Sequence, residues 1–225
     1  MAPRDFRGAA GYGRRLVLGT ALAGFGVLPR RGRAAAPPRL LVLGDSLAAG
    51  YGLPQDQGFV PQLQAALAAR GRAVQVLNAG VSGDTTAGGL TRLDWALADA
   101  PQAVILELGG NDGLRALPPA ASRANLAAIL DRLKSRGIPV LLAGMLAPPN
   151  LGAAYGAEFA AVFQGLAREY PDTIFYPFFL EGVAGDAGLN QPDGIHPNGQ
   201  GVAEIVRRIL PAVETLLDRA VHPPD

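Results

Sequence analysis

Cysteine is absent from this 225-residue chain. That removes disulfides, thiolate nucleophiles, zinc–thiolate sites and iron–sulfur clusters, and it leaves the redox compartment open. Histidine is nearly absent: His196 and His222 are the only two, so any imidazole base must be one of them. Aromatic residues make up 6% of the chain, with Trp95 the sole tryptophan, and charged residues only 17%. Hydrophobic residues reach 49%, which suits one globular domain with a sizeable core better than a disordered or fibrous chain.

A formal net charge of +1 conceals an asymmetry. Residues 1–36 carry seven arginines (4, 7, 14, 15, 30, 31 and 33) against Asp5, a charge of +6, and the remainder carries −5. An acidic folded part argues against a nucleic-acid partner, because phosphate binding needs clustered Lys and Arg. The first 36 residues read as an export signal: Arg14-Arg15, an apolar stretch from Leu16 to Leu28, then Ala34-Ala35-Ala36 as an A-x-A-like cleavage site. The apolar stretch is shorter than the ~20 residues a membrane span requires. The adjacent arginines resemble a twin-arginine signal, and Arg30, Arg31 and Arg33 near the cleavage site fit that route. An uncleaved anchor or a disordered arm is the alternative. Without cysteine there is no lipoprotein acylation site. The expectation is a periplasmic or secreted protein whose mature domain spans 37–225.

Within that domain apolar runs alternate with helical patterns. Strand-like runs occur at 40–43, 74–77, 103–108, 140–146 and 173–176. Between and after them the period becomes helical: Leu126, Ile129, Leu130 and Leu133; Phe159, Val162, Phe163 and Leu166; and, most clearly, Val202 through Leu217. Strands with little polar alternation, separated by helices, imply a parallel sheet covered on both faces. In such a sheet the loops after the strand C-termini form the ligand crevice. Four stretches rich in Gly and polar residues occupy those positions: GDS at 44–46, NAGVSGDTT at 78–86, GGND at 109–112 and DGIHPNG at 193–199.

His222 lies in the terminal VHPPD and reads as solvated. His196 follows Asp193 by three residues, just before the final amphipathic helix. The bland account is a turn at Asp193-Gly194, a helix start at Pro197-Asn198 and an imidazole that merely packs. The functional account joins His196 to Ser46: a serine hydroxyl needs a base within hydrogen-bond reach, and the base needs a third group, here Asp193, to fix its tautomer. Ser46 is also a good helix N-cap type, and capping does not exclude catalysis. Two residues after Ser46 stands Ala48, so the G-x-S-x-G elbow of the α/β-hydrolases is absent. Candidate oxyanion donors are the amides of Ser46 and Gly83 and the side chain of Asn111, each of which could instead serve a turn or cap. Asp45, Asp84 and Asp112 match no metal-ligand spacing, so no metal is expected. Glu107 interrupts an apolar strand without an evident partner.

GDSLAAG, GVSGDTT, ELGGND and DGIHPNG, in this order, resemble the four blocks of the SGNH (GDSL) hydrolase family. ELGGNDGLR at 107–115 and DGIHPN at 193–198 carry the likeness toward its bacterial periplasmic thioesterase, lysophospholipase and arylesterase branch. The resemblance spans roughly 39–215. It implies a three-layer α/β/α sandwich with a five-stranded parallel, flavodoxin-like sheet, no cofactor, Ser46 as nucleophile, His196 as base and Asp193 as its partner, with Ser46, Gly83 and Asn111 forming the oxyanion hole. It also implies that the segments after the third and fourth strands line the acyl site, here Leu114, Leu117, Leu146, Pro148 and Leu151. Their apolar character favours a small-molecule or lipid acyl ester, of short to medium chain, with thioesters and lysophospholipids as further substrates. A carbohydrate acetylesterase on the same site, or a non-catalytic periplasmic binding protein, are the competing expectations. The low aromatic content speaks against the first, and the intact Ser46, Asp193 and His196 against the second.

Overall fold

The computed structural model describes residues 36–221. The export signal expected over 1–36 falls outside the described residues, apart from Ala36, as does His222. The chain runs through β1 (Arg39–Gly44), α1 (Ser46–Ala49), α2 (Phe59–Ala69), β2 (Gln75–Gly80), α3 (Thr86–Thr91) and α4 (Leu93–Ala96). It continues through β3 (Ala103–Glu107), α5 (Gly110–Leu114), α6 (Pro119–Ser135), β4 (Val140–Ala143), α7 (Ala153–Glu169), β5 (Ile174–Tyr176) and α8 (Gly199–Val221).

All five strands pair in parallel, in the order β2-β1-β3-β4-β5. The three central strands are buried almost end to end, as strands covered on both faces must be. Helices α2 and α8 pack together, and α6 packs against both α3 and α7; this is the three-layer α/β/α sandwich with the flavodoxin-like order. The periodic residues explain the packing. Leu126, Ile129, Leu130 and Leu133 of α6, the Phe159–Leu166 set of α7 and the stripe from Val202 to Leu217 of α8 are all buried. Each fully buried side chain of this kind contributes about 1.5–3 kcal/mol.

Two strand ends differ by three residues from the sequence expectation, and the other boundaries agree to within one. β2 continues past Leu77 to Gly80, because Asn78, Ala79 and Gly80 pair with Val42, Leu43 and Gly44; on an edge strand the polar Asn78 can face solvent. β4 stops at Ala143 rather than running to Leu146. Gly144 still donates to Tyr176 O at 2.8 Å, but its own carbonyl accepts from Phe179 N at 2.9 Å, one residue beyond the donor that a regular parallel ladder would use, so the pairing ends there.

Strand order reverses direction between β1 and its two neighbours, β2 and β3. That is the switch point at which open α/β sheets hold their ligands, and Ser46 begins directly beyond it.

Candidate active site

The Gly44-Asp45-Ser46 turn is built by close approach. A Cβ on Gly44 would collide with Glu107 Oε2 and with the Ala48 methyl group, and one on Gly80 would collide with the backbone of Ala49. The short helix α1 is therefore wedged onto the ends of β1 and β2, which is why small residues follow the serine. Asp45 caps α1, its Oδ1 accepting from Leu47 N at 3.0 Å, and Gly50 ends it in the left-handed region at φ 78°. Ser46 is almost buried. The non-glycine residues with positive φ among those described are Ala100 and Ala116, so Ser46 carries none of the backbone strain of the α/β-hydrolase elbow.

His196 arrives from a different part of the chain. Asn198 caps α8 through Oδ1, which accepts from Gln200 N and Gly201 N at 3.0 Å each, so the helix start fixes the loop two residues ahead of it. Within that loop Asp193 Oδ1 accepts from Ile195 N at 2.9 Å and His196 N at 3.0 Å. Its other oxygen lies 2.7 Å from His196 Nδ1. The backbone N–H of His196, foremost, and that of Ile195 bring the Asp193 carboxyl down to about 2, so it accepts as an anion and holds the imidazole proton on Nδ1. Nε2 is left as an acceptor, 2.9 Å from Ser46 Oγ. Residues 147 and 150 positions apart in sequence from Ser46 thus meet it in one hydrogen-bonded chain.

Of the oxyanion candidates, Asn111 lies beside the turn, its Nδ2 donating to Asp45 Oδ2 at 3.1 Å; one N–H is engaged there and the amide has a second. Gly83 adopts φ 83°, a conformation that favours glycine, and its carbonyl accepts from Arg115 at 2.8 Å, tying the loop after β2 to the end of α5.

The acyl-site candidates lie on two neighbouring segments, the end of α5 with the loop after it and the loop after β4, which meet where Gly113 passes Ala147. Leu114 and Leu146 stand exposed, while Leu117, Pro148 and Leu151 are half-buried. Tyr155, in the first turn of α7, donates to Leu117 O at 2.8 Å and joins the two loops.

Three supporting residues escaped the sequence reading. Glu107 is fully buried, and its Oε2 accepts from Asp45 N at 3.2 Å while Oε1 has no partner. Burial, reinforced by the nearby Asp45 charge, pushes the Glu107 carboxyl well above the usual range. Burial likewise raises Asp45 to about 6. Arg92 donates to Gly44 O, Ala79 O and Asp84 Oδ2 at 2.6–2.8 Å, clamping the ends of β1 and β2 to the loop that carries Gly83. Asp112 accepts from Thr86 N, Thr86 Oγ1 and Ser122 Oγ, joining α5 to α3 and α6. In the sequence Glu107 stood out as a carboxylate within an apolar strand and Asp112 was weighed only as a metal ligand, while Arg92 left no trace.

Comparison with known proteins gives concordant results. A family model described as the GDSL-like lipase/acylhydrolase family matches residues 42–203. The chain is 45% identical over 184 residues to esterase TesA of Pseudomonas aeruginosa, covering 81% of this chain and 91% of that protein. It is 40% identical over 167 residues to thioesterase 1/protease 1/lysophospholipase L1 of Escherichia coli, covering 74% and 78%. The crystal structure of TesA superposes with a TM-score of 0.76 at 44% identity, over 79% of this chain and 99% of that one.

Proposed function

We propose, from the premise that this chain belongs to the GDSL-like lipase/acylhydrolase family, that it is a serine esterase working through an acyl-enzyme on Ser46. The observation that carries the reading is the unbroken hydrogen-bonded chain Asp193 Oδ2, His196 Nδ1, His196 Nε2, Ser46 Oγ, with links of 2.7 and 2.9 Å. Ser46 Oγ attacks the acyl carbonyl as its proton passes to His196 Nε2, and Asp193 stabilises the imidazolium without taking the proton. The oxygen that becomes negative is met by the Ser46 and Gly83 amides and by Asn111, whose orientation Asp45 fixes. Collapse expels the alcohol or thiol, which takes the proton from His196. Water, deprotonated by the same nitrogen, then releases the acid.

The exposed Leu114 and Leu146 support an apolar acyl group, and relatives named as esterase and as thioesterase/lysophospholipase support esters with thioesters and lysophospholipids beside them. The N-terminal 36 residues support export to the periplasm by the twin-arginine route. No helix among the described residues is long and apolar enough to cross a membrane.

A fluorophosphonate probe should label the wild-type protein and not Ser46→Ala, and a p-nitrophenyl ester series should give its best kcat/KM between short and medium acyl chains. Labelling that survives Ser46→Ala would reject the nucleophile. A sharp preference for acetylated sugars over C6 to C10 esters would replace the lipid reading with the carbohydrate one.

A further inference from the structure

The proposed mechanism leaves one difficulty. In the acyl-enzyme Ser46 Oγ carries no proton, so the hydrogen bond that joins it to His196 is lost just when the imidazole must activate water. His196 sits on a loop, and Asp193, its other side-chain partner, belongs to that same loop. Something outside the loop has to hold the ring in register with the serine.

Such a connection exists. Tyr51 lies just beyond α1, and its N–H donates to the carbonyl of Ser46 itself at 3.1 Å, so its backbone moves with the nucleophile. Its ring lies against the His196 imidazole, centroid to centroid 4.6 Å, tilted by 39°. The Tyr51 carbonyl accepts from Gln191 Nε2 at 2.8 Å, and the same Nε2 donates to Pro197 O at 3.0 Å. The Gln191 N–H donates to His196 O at 2.7 Å. One amide side chain therefore ties the segment after Ser46 to the residue after His196, bridging 140 positions of sequence. The neighbouring residue leaves room for it: Gly52 adopts φ 72°, and a Cβ there would collide with Gln191 Oε1.

We propose that Tyr51 and Gln191 are positioning residues that hold His196 over Ser46 independently of the Ser–His hydrogen bond, and so sustain deacylation. This rests on the reading of Ser46 and His196 given above. The tyrosine ring limits how far the imidazole can tilt or swing toward solvent. When His196 becomes protonated, the adjacent aromatic ring attracts the cation. The phenol hydroxyl has no part in either effect. A displacement of about 1 Å in a reacting group costs roughly 10²-fold in rate at worst, and a loosened rather than displaced ring should cost less.

The test compares Tyr51→Phe, Tyr51→Ala and Gln191→Glu by steady-state and rapid-mixing kinetics on a p-nitrophenyl ester. Gln191→Glu preserves size but sets a carboxylate against two carbonyl oxygens. Tyr51→Ala and Gln191→Glu should each lower kcat roughly tenfold with no rise in KM. Both should enlarge the p-nitrophenol burst, since deacylation slows more than acylation. Tyr51→Phe should restore wild-type behaviour. A raised KM at unchanged kcat would make Tyr51 a substrate contact and overturn the proposal, as would equal losses in Tyr51→Phe and Tyr51→Ala. His196→Ala separates the two levels of inference. If it still turns over, the reading of the active site fails. If it is dead while Tyr51→Ala and Gln191→Glu match wild type, the clamp alone fails.

Discussion

The two ends of the sheet make opposite use of similar material. At the strands' N-terminal end a cavity of about 810 Å³ opens between Pro101, Ile138, Pro139, Lys134, Arg136 and Tyr170. It is roomy, and its walls hold neither serine nor histidine. At the C-terminal end Ser46, nearly buried, meets His196 and Asp193 in a chain of short hydrogen bonds. Volume alone marks no chemistry; converging, hydrogen-bonded groups do. The difference follows from topology, because parallel strands deliver all their C-terminal loops to one end, and the reversal of strand order opens a crevice there.

This contrast can be attacked from its strongest side first. His196→Ala should lower kcat on p-nitrophenyl butyrate by roughly 10⁴-fold or more, with the melting temperature shifted by only about 2 °C, since the residue lies on a loop outside the core. Asp193→Asn comes next, at up to roughly 10⁴-fold, because the oxyanion donors persist while the imidazole tautomer is lost. Its acid-side pH profile should also separate roles. Asp193 stays ionised down to about pH 2, so a loss of wild-type activity between pH 7 and 4 must come from other groups.

Smaller effects sharpen the boundary of the site. Leu114→Ala and Leu146→Ala should reduce kcat/KM for octanoyl esters relative to acetyl esters by roughly tenfold or less, the worth of one or two apolar contacts. Glu107→Gln tests the floor beneath Ser46 through stability. A carboxyl raised in the folded state gives stability that is complete below its unfolded value of 4.5 and is lost as pH rises toward the folded one. The melting temperature of Glu107→Gln should therefore gain on wild type between pH 4.5 and 8; a constant difference would mean that Glu107 is not held neutral. At the opposite end, Arg136→Ala, which removes an exposed pair with Asp94, should leave kcat within about twofold and cost under ~1 kcal/mol of stability. A large catalytic loss there would break the comparison outright.

Much of this was legible before any coordinates because the telling residue types are scarce. With two histidines in 225 residues, the proposed base had few places to be, and Asp193 in the same loop was the carboxylate offered as its partner. Helix faces were legible because a 3.6-residue period survives in α6, α7 and α8. The supporting residues were not, for a common reason. Glu107 reaches Asp45 across 62 positions, Arg92 reaches Gly44 across 48 and Gln191 reaches Tyr51 across 140. Nothing local in LTRLD or LNQPD distinguishes such partners from solvated surface residues. The early end of β4 was hidden likewise, since it is set from the neighbouring segment, where Phe179 N reaches the Gly144 carbonyl out of register.

The glycines beneath α1 have a bearing on protein engineering. Where Gly44 and Gly80 pass under Ala48 and Ala49, not even a methyl group can be added without displacing backbone or a buried carboxylate. A mutagenesis library aimed at new substrates would waste its members on that platform, and should diversify 114–118 and 146–151 instead, where exposed side chains can be exchanged without moving Ser46.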